Sequence, residues 1–370
     1  MNIAILGGGQ LGRMLIQEAL KYDDDFHVLD PNPKCSCAHI SLFTEGDFNN
    51  ARDVINFGQG KDVVSIEIEH VSVDGLQELE RQGIKVIPNS NIIKIIQQKI
   101  LQKRFYKHHQ IPSPDFQVIQ SLAEEILIGF PFVQKLNTGG YDGKGVQVIR
   151  DENDLPKMWD EPSVLENLVD IDKELSLIIA RNESGEIKSF PVTEMVADPK
   201  LNLLDFNICP TEISKDVQHQ IDKIAHQFMQ AANSEGLFAI ELFLDRAGKV
   251  WVNETAPRLH NSGHQSQEGN TNSQFEQFYR VLTNLPLADT SIRGFSGMLN
   301  LVGEDNHTGK VTYEGLEKVL QLPNAYVHLY GKEETKPGRK MGHINVVADS
   351  REELMTELIK IKSMVKVVSE

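Results

Sequence analysis

Two carboxylates, an arginine and two histidines stand close together in LFAIELFLDRAGKVWVNETAPRLHNSGH, residues Leu237 to His264. Apolar residues alternate around Glu241, and Asp245-Arg246-Ala247-Gly248 is turn-forming, so the stretch predicts a β-hairpin. Pairing Leu244 with Lys249 places Glu241 opposite Val252 and leaves Glu254 diagonal to it on the same face. Two acids on one apolar hairpin repel unless a cation compensates them, and paired hard oxygen ligands suit Mg²⁺ better than zinc. The reading depends on register, because a slip of one residue sends Glu254 to the other face; a solvent-facing acid pair is the bland alternative. His260 and His264 lie at i and i+4 but lack the glutamate of H-E-x-x-H, and Ser262-Gly263 favours a turn. They read as donors facing an anion rather than as zinc ligands.

Two glycine loops could approach phosphate. Gly7-Gly8-Gly9-Gln10-Leu11-Gly12 satisfies G-x-G-x-x-G, and Asp30 closes the next apolar run. Taken literally this is a dinucleotide fingerprint, although the physics beneath it admits any phosphate at a helix N-terminus, or simply a tight turn. Thr138 to Gly145, TGGYDGKG, is not a Walker A sequence: Thr138 stands where its first glycine belongs, and Gly145 replaces the Ser/Thr. Flanked by two apolar runs, it reads as a hairpin lid whose amides and Lys144 fold onto a phosphate chain beside Lys135, or as a plain mobile hairpin.

Three further clusters carry weaker signals. The backbone of Glu166-Asn167-Leu168-Val169 could meet an adenine edge, with Glu174 on ribose hydroxyls. Glu67-Ile68-Glu69-His70 ends a strand-like run, where alternation puts Glu67 and Glu69 on one face at a carboxyl end. Gly331-Lys332 with Pro337 to His343, PGRKMGH, makes a basic turn suited to a phosphate, which Arg339 can bind bidentately; a solvated charged turn is the alternative.

The elements that must position these residues follow from periodicity. Asn2–Leu6, Gln10–Lys21 and Phe26–Asp30 read β-α-β; with strands at 62–68 and 84–87, residues 1–90 form an N-terminal Rossmann-like α/β domain closed by Pro88-Asn89-Ser90. Residues 91–290 are the central part. It begins with one long helix from Asn91 to His109 and continues through mixed α+β structure. Val217, Ile221, Ile224 and Phe228 mark a helix with Ser214 as N-cap and Gly236 closing the segment. Residues 291–370 form a C-terminal part of strand-like pieces and a final amphipathic helix. The fold class is therefore α/β and α+β. With Lys+Arg 37 against Asp+Glu 53, the net charge of −16 argues against nucleic-acid and anionic-membrane surfaces. Three cysteines, two of them in Cys35-Ser36-Cys37, suit reduced thiols, and no apolar run reaches membrane-span length; the expected location is cytoplasmic.

GGGQLGRM at 7–14, EIEHV at 67–71, TGGYDGKG at 138–145, NETAPRLHNSGH at 253–264, HLYGK at 328–332 and PGRKMGH at 337–343 occur in this order along nearly the whole chain. Together they resemble the ATP-grasp superfamily and, within it, the N5-carboxyaminoimidazole ribonucleotide synthetases of purine biosynthesis. The resemblance implies a three-part ATP-grasp fold, with ATP and Mg²⁺ between the central region and the hairpin. It implies Lys99 and Lys135 on the phosphates, the loop Gly140, Tyr141, Asp142, Gly143, Lys144, Gly145 and Val146 over them, Glu166, Asn167, Leu168 and Val169 on adenine, Glu174 on ribose, and Asn253 and Glu254 at the metal end. Where most ATP-grasp enzymes read E-x-N-x-R, this chain has Ala256, so only Glu241 and Glu254 carry over as metal ligands. The implied reaction turns bicarbonate and ATP into carboxyphosphate, captured by the amine of 5-aminoimidazole ribonucleotide. Arg258, His260 and Asn261 would bind bicarbonate and stabilise carboxyphosphate, with Lys135 and Lys144 sharing the charge of the transferring phosphoryl group; Gln10, Tyr141, Lys144, Lys332 and Arg339, with Glu67, Glu69 or His70, would hold the ribonucleotide. A homodimer is expected on resemblance alone. Many relatives carry E-N-I-H near the nucleotide; this chain reads EMVADPKLNLLDF from Glu194, and no residue transfers there. Competing readings are another ATP-grasp ligase, such as a formate-using glycinamide ribonucleotide transformylase or a biotin carboxylase, a silent nucleotide sensor, and a nicotinamide dehydrogenase.

Overall fold

A computed structural model of the chain describes residues 1–140, 144–197 and 204–370. The apolar runs of the first part form a five-stranded sheet in the order Leu42–Glu45, Asp25–Asp30, Asn2–Leu6, Val63–Ile66, Lys85–Ile87. All its pairings are parallel, so both faces need covering. The helix Gln10–Ala19 does this on one side, where Met14, Leu15 and Ile16 pack with Ile3 and Ile5 of the first strand. Strand order turns outward in both directions from Asn2–Leu6, and the crevice beyond the carboxyl ends at such a switch point collects ligands. Gly7–Gly12 and Glu67–His70 both follow strands that end there.

The expected long helix is two helices, Ser90–Ile96 and Lys99–His108. Tertiary partners break it: the Gln97 amide donates to the carbonyls of Glu69 and Val71 at 2.7 and 2.9 Å, and the Lys99 N–H takes the Asn137 carbonyl at 2.9 Å. The break starts a new helix at Lys99 and aims it between two sheets.

The smaller of these is antiparallel, ordered Phe116–Ile119, Ser163–Asn167, Phe132–Leu136, Val146–Ile149. The larger runs Val250–Ala256, Gly236–Asp245, Ile171–Arg181, Thr193–Ala197, Leu204–Cys209, Phe295–Val302, Lys340–Ala348, Ala325–Leu329. Phe295–Val302 pairs with Leu204–Cys209, so the central and C-terminal parts share this sheet. The helix Lys215–Ala232 covers the back of the hairpin. Ser214 caps it through the Val217 amide, and Val217, Ile221, Ile224 and Phe228 are all buried. Phe228 meets Phe238 edge-on with ring centroids 5.3 Å apart; full burial of such a side chain contributes roughly 1.5–3 kcal/mol. Asn233, left-handed at φ 43°, ends the helix. The closing role expected of Gly236 falls to Asn233, whose short polar side chain tolerates that conformation, while Gly236 begins the next strand. No helix among the described residues is long and apolar enough to cross a membrane.

Candidate active site

The hairpin pairs Leu244 with Val250, Leu242 with Val252 and, across a bulge, Glu241 with Glu254. The expected pairing of Leu244 with Lys249 is corrected by one residue, because Asp245 claims Lys249. Its N–H donates to the Lys249 carbonyl at 3.0 Å, and its carboxylate accepts from the Ala247 and Lys249 amides at 3.0 and 2.8 Å. Ile240, Leu242 and Val252 belong to the core beneath the helix Lys215–Ala232, so alternation turns Glu241 and Asn253 to the opposite face. The bulge then adds a second step and re-aims Glu254 to that face. Glu241 and Glu254 stand directly opposite each other rather than diagonally.

Their surroundings differ. Glu254 Oε2 pairs with Lys99 Nζ, and that ammonium holds the Glu254 carboxyl well below the usual range against the pull of burial. Glu241 is held up by burial and then by Glu254 itself; its partners are Asn253 Nδ2 at 3.2 Å and His260 Nε2 at 3.5 Å. A buried carboxyl pushed up beside an ionised one marks a place short of positive charge, which fits a hard dication. No cluster of three His, Cys, Asp or Glu that could hold a metal exists among the described residues. Two carboxylates with the rest supplied by phosphate oxygens and water is the donor set Mg²⁺ accepts.

These acids line a cleft of about 1250 Å³ between the two sheets. At one end Lys135 Nζ donates to Asn253 Oδ1 at 2.7 Å and lies 3.1 Å from Glu166 Oε2. Burial works to raise the Glu166 carboxyl, but Lys135 and Lys103 outweigh it and hold the group down. The Glu166 side chain thus belongs to an ion cluster, leaving its backbone, with Asn167, Leu168 and Val169, on the cleft wall. Glu174 lies on the same wall, its carboxyl raised by burial, beside the apolar Met195, Ala197, Leu204 and Phe243. Gly140 and Val146 line the cleft at the ends of the second glycine loop, whose strands pair Lys135 with Val146 as a hairpin. Lys144 is exposed; neither it nor Gly145 is in the cleft wall, and Tyr141, Asp142 and Gly143 lie outside the described residues.

At the other end Arg258, His260 and Asn261 converge. Arg258 Nη2 pairs with both Glu69 oxygens at 2.8 and 2.9 Å. The His260 ring touches Ser262 Oγ at 2.9 Å through Nδ1, and Asn261 Nδ2 reaches Asn300 Oδ1 at 3.2 Å. Gln274, which the sequence reading missed, pins this loop: it accepts from the His260 N–H at 3.0 Å and donates to the His260 carbonyl at 2.7 Å. His264 is buried in the same framework, 3.0 Å from Gln274 Nε2 and tilted against the His343 ring with centroids 4.7 Å apart. Burial holds the His264 imidazole neutral, far below its ordinary value.

The strand before Glu67 ends at Ile66, so alternation does not govern Glu67 and Glu69, and they diverge. Glu69 reaches Arg258, while Glu67 accepts from the Leu11 N–H at 3.1 Å and fills the space beside Gly9, where a Cβ would lie 2.3 Å from its Oε1. Burial pushes Glu67 up to about 7, against Arg258, the Leu11 amide and Lys332. Asp30 accepts from the Gly8 and Asn32 amides at 2.7 and 2.8 Å. Two carboxylates therefore cap the first glycine loop, and the acid that a dinucleotide ribose requires is committed elsewhere. Gln10, His70, Lys332 and Arg339 also line the cleft. Lys332 Nζ donates to the Lys340 carbonyl at 2.7 Å and Arg339 Nη1 to that of Glu334 at 2.7 Å.

Comparison with known proteins bears on this architecture along its whole length. Family models match in sequence order: a ribonucleotide synthetase preATP-grasp domain over residues 1–97, an ATP-grasp domain over 104–275, and a phosphoribosylaminoimidazole carboxylase C-terminal domain over 296–357. The crystal structure of N5-carboxyaminoimidazole ribonucleotide synthetase from Thermotoga maritima superposes with a TM-score of 0.93 at 38% identity, covering 100% of this chain and 99% of that one. The chain belongs to the N5-carboxyaminoimidazole ribonucleotide synthase family of ATP-grasp ligases. A second synthase of this family, from Synechococcus elongatus, is 33% identical over 357 residues, covering 93% of this chain and 89% of that protein. The synthase of Aspergillus clavatus, solved in complex with ADP and 5-aminoimidazole ribonucleotide, has a TM-score of 0.87 at 30% identity, over 98% of both chains. The chain spans about two thirds of the length of the phosphoribosylaminoimidazole carboxylases it also matches, such as that of Saccharomyces cerevisiae, at 33% identity over 95% of this chain and 64% of that protein.

Proposed function

We propose that this chain uses ATP to carboxylate the exocyclic amine of 5-aminoimidazole ribonucleotide with bicarbonate, through carboxyphosphate. The observation that carries the reading is one polar line across the cleft, from Lys135 to Asn253 at 2.7 Å, Asn253 to Glu241 at 3.2 Å and Glu241 to His260 at 3.5 Å. It joins a nucleotide end to an anion end, as a reaction that moves a phosphoryl group from one to the other requires.

ATP lies with adenine on the backbone of Glu166 to Val169, ribose at Glu174 and phosphates against Lys99 and Lys135, with the loop from Gly140 to Val146 over them. Mg²⁺ held by Glu241 and Glu254 supplies charge neutralisation for the transferring group. Arg258, His260 and Asn261 hold bicarbonate so that one of its oxygens attacks the terminal phosphorus; ADP leaves and carboxyphosphate remains. Arg258 must then exchange part of its Glu69 pairing for the substrate anion, and the gain is a planar, permanently charged donor on a developing oxyanion. Lys332 and Arg339 hold the ribonucleotide phosphate, while Gln10, Glu67 and His70 turn its ring toward the carboxyl carbon. The amine nitrogen attacks that carbon, phosphate leaves, and the nitrogen loses a proton. Closure of the lid with Tyr141 and Lys144 excludes water, which would otherwise hydrolyse carboxyphosphate. On resemblance, we place the working enzyme in the cytoplasm as a homodimer.

The test is an acceptor panel. Enzyme, ATP and Mg²⁺ are incubated with bicarbonate and 5-aminoimidazole ribonucleotide, with formate and glycinamide ribonucleotide, or with bicarbonate and biotin, while ADP release is followed. Acceleration by the aminoimidazole alone is expected; acceleration by either of the others instead would replace this reading with that of a different ATP-grasp ligase.

A further inference from the structure

Lys103 is a buried cation that the reaction just described does not use. The helix Lys99–His108 presents Lys99 and Lys103 one turn apart on one face. Lys99 pairs with Glu254 on the large sheet, whereas Lys103 Nζ lies 3.1 Å from Glu166 Oε1 on the small sheet. The other Glu166 oxygen is 3.1 Å from Lys135 Nζ. One carboxylate is shared between two ammoniums, and all three side chains are at most 9% exposed. Lys103 therefore stands at the closed end of a chain that runs through Glu166, Lys135 and Asn253 to Glu241.

We infer that Lys103 is a positioning residue for phosphoryl transfer: by holding one oxygen of Glu166 it leaves Lys135 only partly neutralised and directed across the cleft to the nucleotide phosphates. This rests on the reading of the cleft as an ATP site. Without Lys103, Glu166 would be a buried anion with a single counterion, and Lys135 would be drawn fully to it. The side chain cannot take this place by chance: burial lowers its proton affinity, to a pKa of about 8, with Glu166 pulling the other way. Besides Glu166, it has Ser113 Oγ at 3.4 Å and the Tyr106 ring centroid at 5.9 Å. A cation held at that desolvation cost, with an acid as its main partner, is placed to act on that acid.

The experiment is a double-mutant cycle with Lys103→Met, Glu166→Gln and the two combined, and with Lys103→Arg as the conservative variant. Each is measured for binding of a non-hydrolysable ATP analogue with Mg²⁺ by calorimetry, for kcat, and for the KM of ATP and of 5-aminoimidazole ribonucleotide. Lys103→Met is expected to weaken analogue binding by about tenfold or more and to lower kcat, with the ribonucleotide KM within about twofold, and Lys103→Arg to recover most of the loss. In the Glu166→Gln background, adding Lys103→Met is expected to cost less than about threefold, because the intermediary is already gone. Equal losses in both backgrounds, a Lys103→Met enzyme indistinguishable from the parent, or a parallel rise in both KM values would overturn the inference. Where Lys103→Met alone does not fold, the comparison of Glu166→Gln with the double variant decides it: a further loss of about tenfold counts against, and one within about threefold counts for. The binding arm needs no turnover, so failure of the proposed reaction and failure of the Lys103 assignment remain distinguishable.

Discussion

Replacing Glu67 by glutamine should make the chain more stable and less able to hold its ribonucleotide, and the gain in stability should depend on pH. Glu67 is wedged against the first glycine loop, and burial raises its carboxyl from an ordinary 4.5 to about 7. The folded chain therefore binds this proton more tightly than the unfolded chain does. Below about pH 4.5 both states are protonated and the group costs nothing; between about 4.5 and 7 the unfolded chain ionises while the folded chain keeps its proton, so stability falls across that interval and levels off above it. At ~1.4 kcal/mol per pH unit, the interval corresponds to about 3.5 kcal/mol at most. Water in the cleft reaches part of Glu67, so roughly 1.5–3 kcal/mol is the range to expect. Glutamine keeps an oxygen for the Leu11 amide but cannot ionise. Urea unfolding of both proteins from pH 5 to pH 9 checks this: Glu67→Gln should gain progressively over the parent between pH 5 and 7 and hold its advantage above. A difference that is flat across pH, or one that favours the parent at pH 8, would refute the argument that the glycine loop buries a carboxyl at a cost.

Gln274→Leu removes the two hydrogen bonds that fix the His260 backbone, leaving its N–H unpaired and its carbonyl with only the Gly263 N–H; a loss of about 1–3 kcal/mol in urea unfolding is expected, with lower kcat. Glu254→Ala should abolish turnover and lower the unfolding midpoint modestly at pH 7, because it removes the carboxylate paired with Lys99 while relieving Glu241 only in part; near-normal activity would contradict the pairing of the two acids across the bulge. Lys332→Ala should raise the ribonucleotide KM by about tenfold with little change in the KM of ATP, as loss of one charged contact predicts.

The parallel sheet, the hairpin around the second glycine loop and the helix behind the hairpin of Glu241 and Glu254 were all legible from periodicity and turn residues. The acid pair was legible for a less secure reason. Pairing Leu244 with Lys249 missed the Asp245 turn by one residue, and nothing in the sequence announced the bulge between Glu241 and Leu242. Two single-residue steps preserved the parity of faces, so both carboxylates reached the cleft by a register different from the expected one. Glu67 and Glu69 show the opposite outcome: alternation was applied beyond Ile66, where the strand has ended, and the two acids part. The capping roles of Asp30 and Glu67 depend on contacts 22 and 56 residues apart, which no local pattern encodes. Gln274 was invisible for the same reason, being a neutral amide in an ordinary helical run. Lys103 did leave a trace, since it lies four residues after Lys99 on one face of the helix, and it becomes readable once Glu166 is known to face it.

The central claim is that bicarbonate, and not water or the ribonucleotide, receives the terminal phosphoryl group of ATP. Running the reaction with ¹⁸O-labelled bicarbonate, before the label exchanges with water, and reading the released phosphate by ³¹P NMR tests it directly. One bicarbonate oxygen bonds to phosphorus and stays with it when the amine takes the carboxyl carbon, so each phosphate should carry one ¹⁸O. Phosphate free of label, released at the same rate as carboxylated product, would contradict the account.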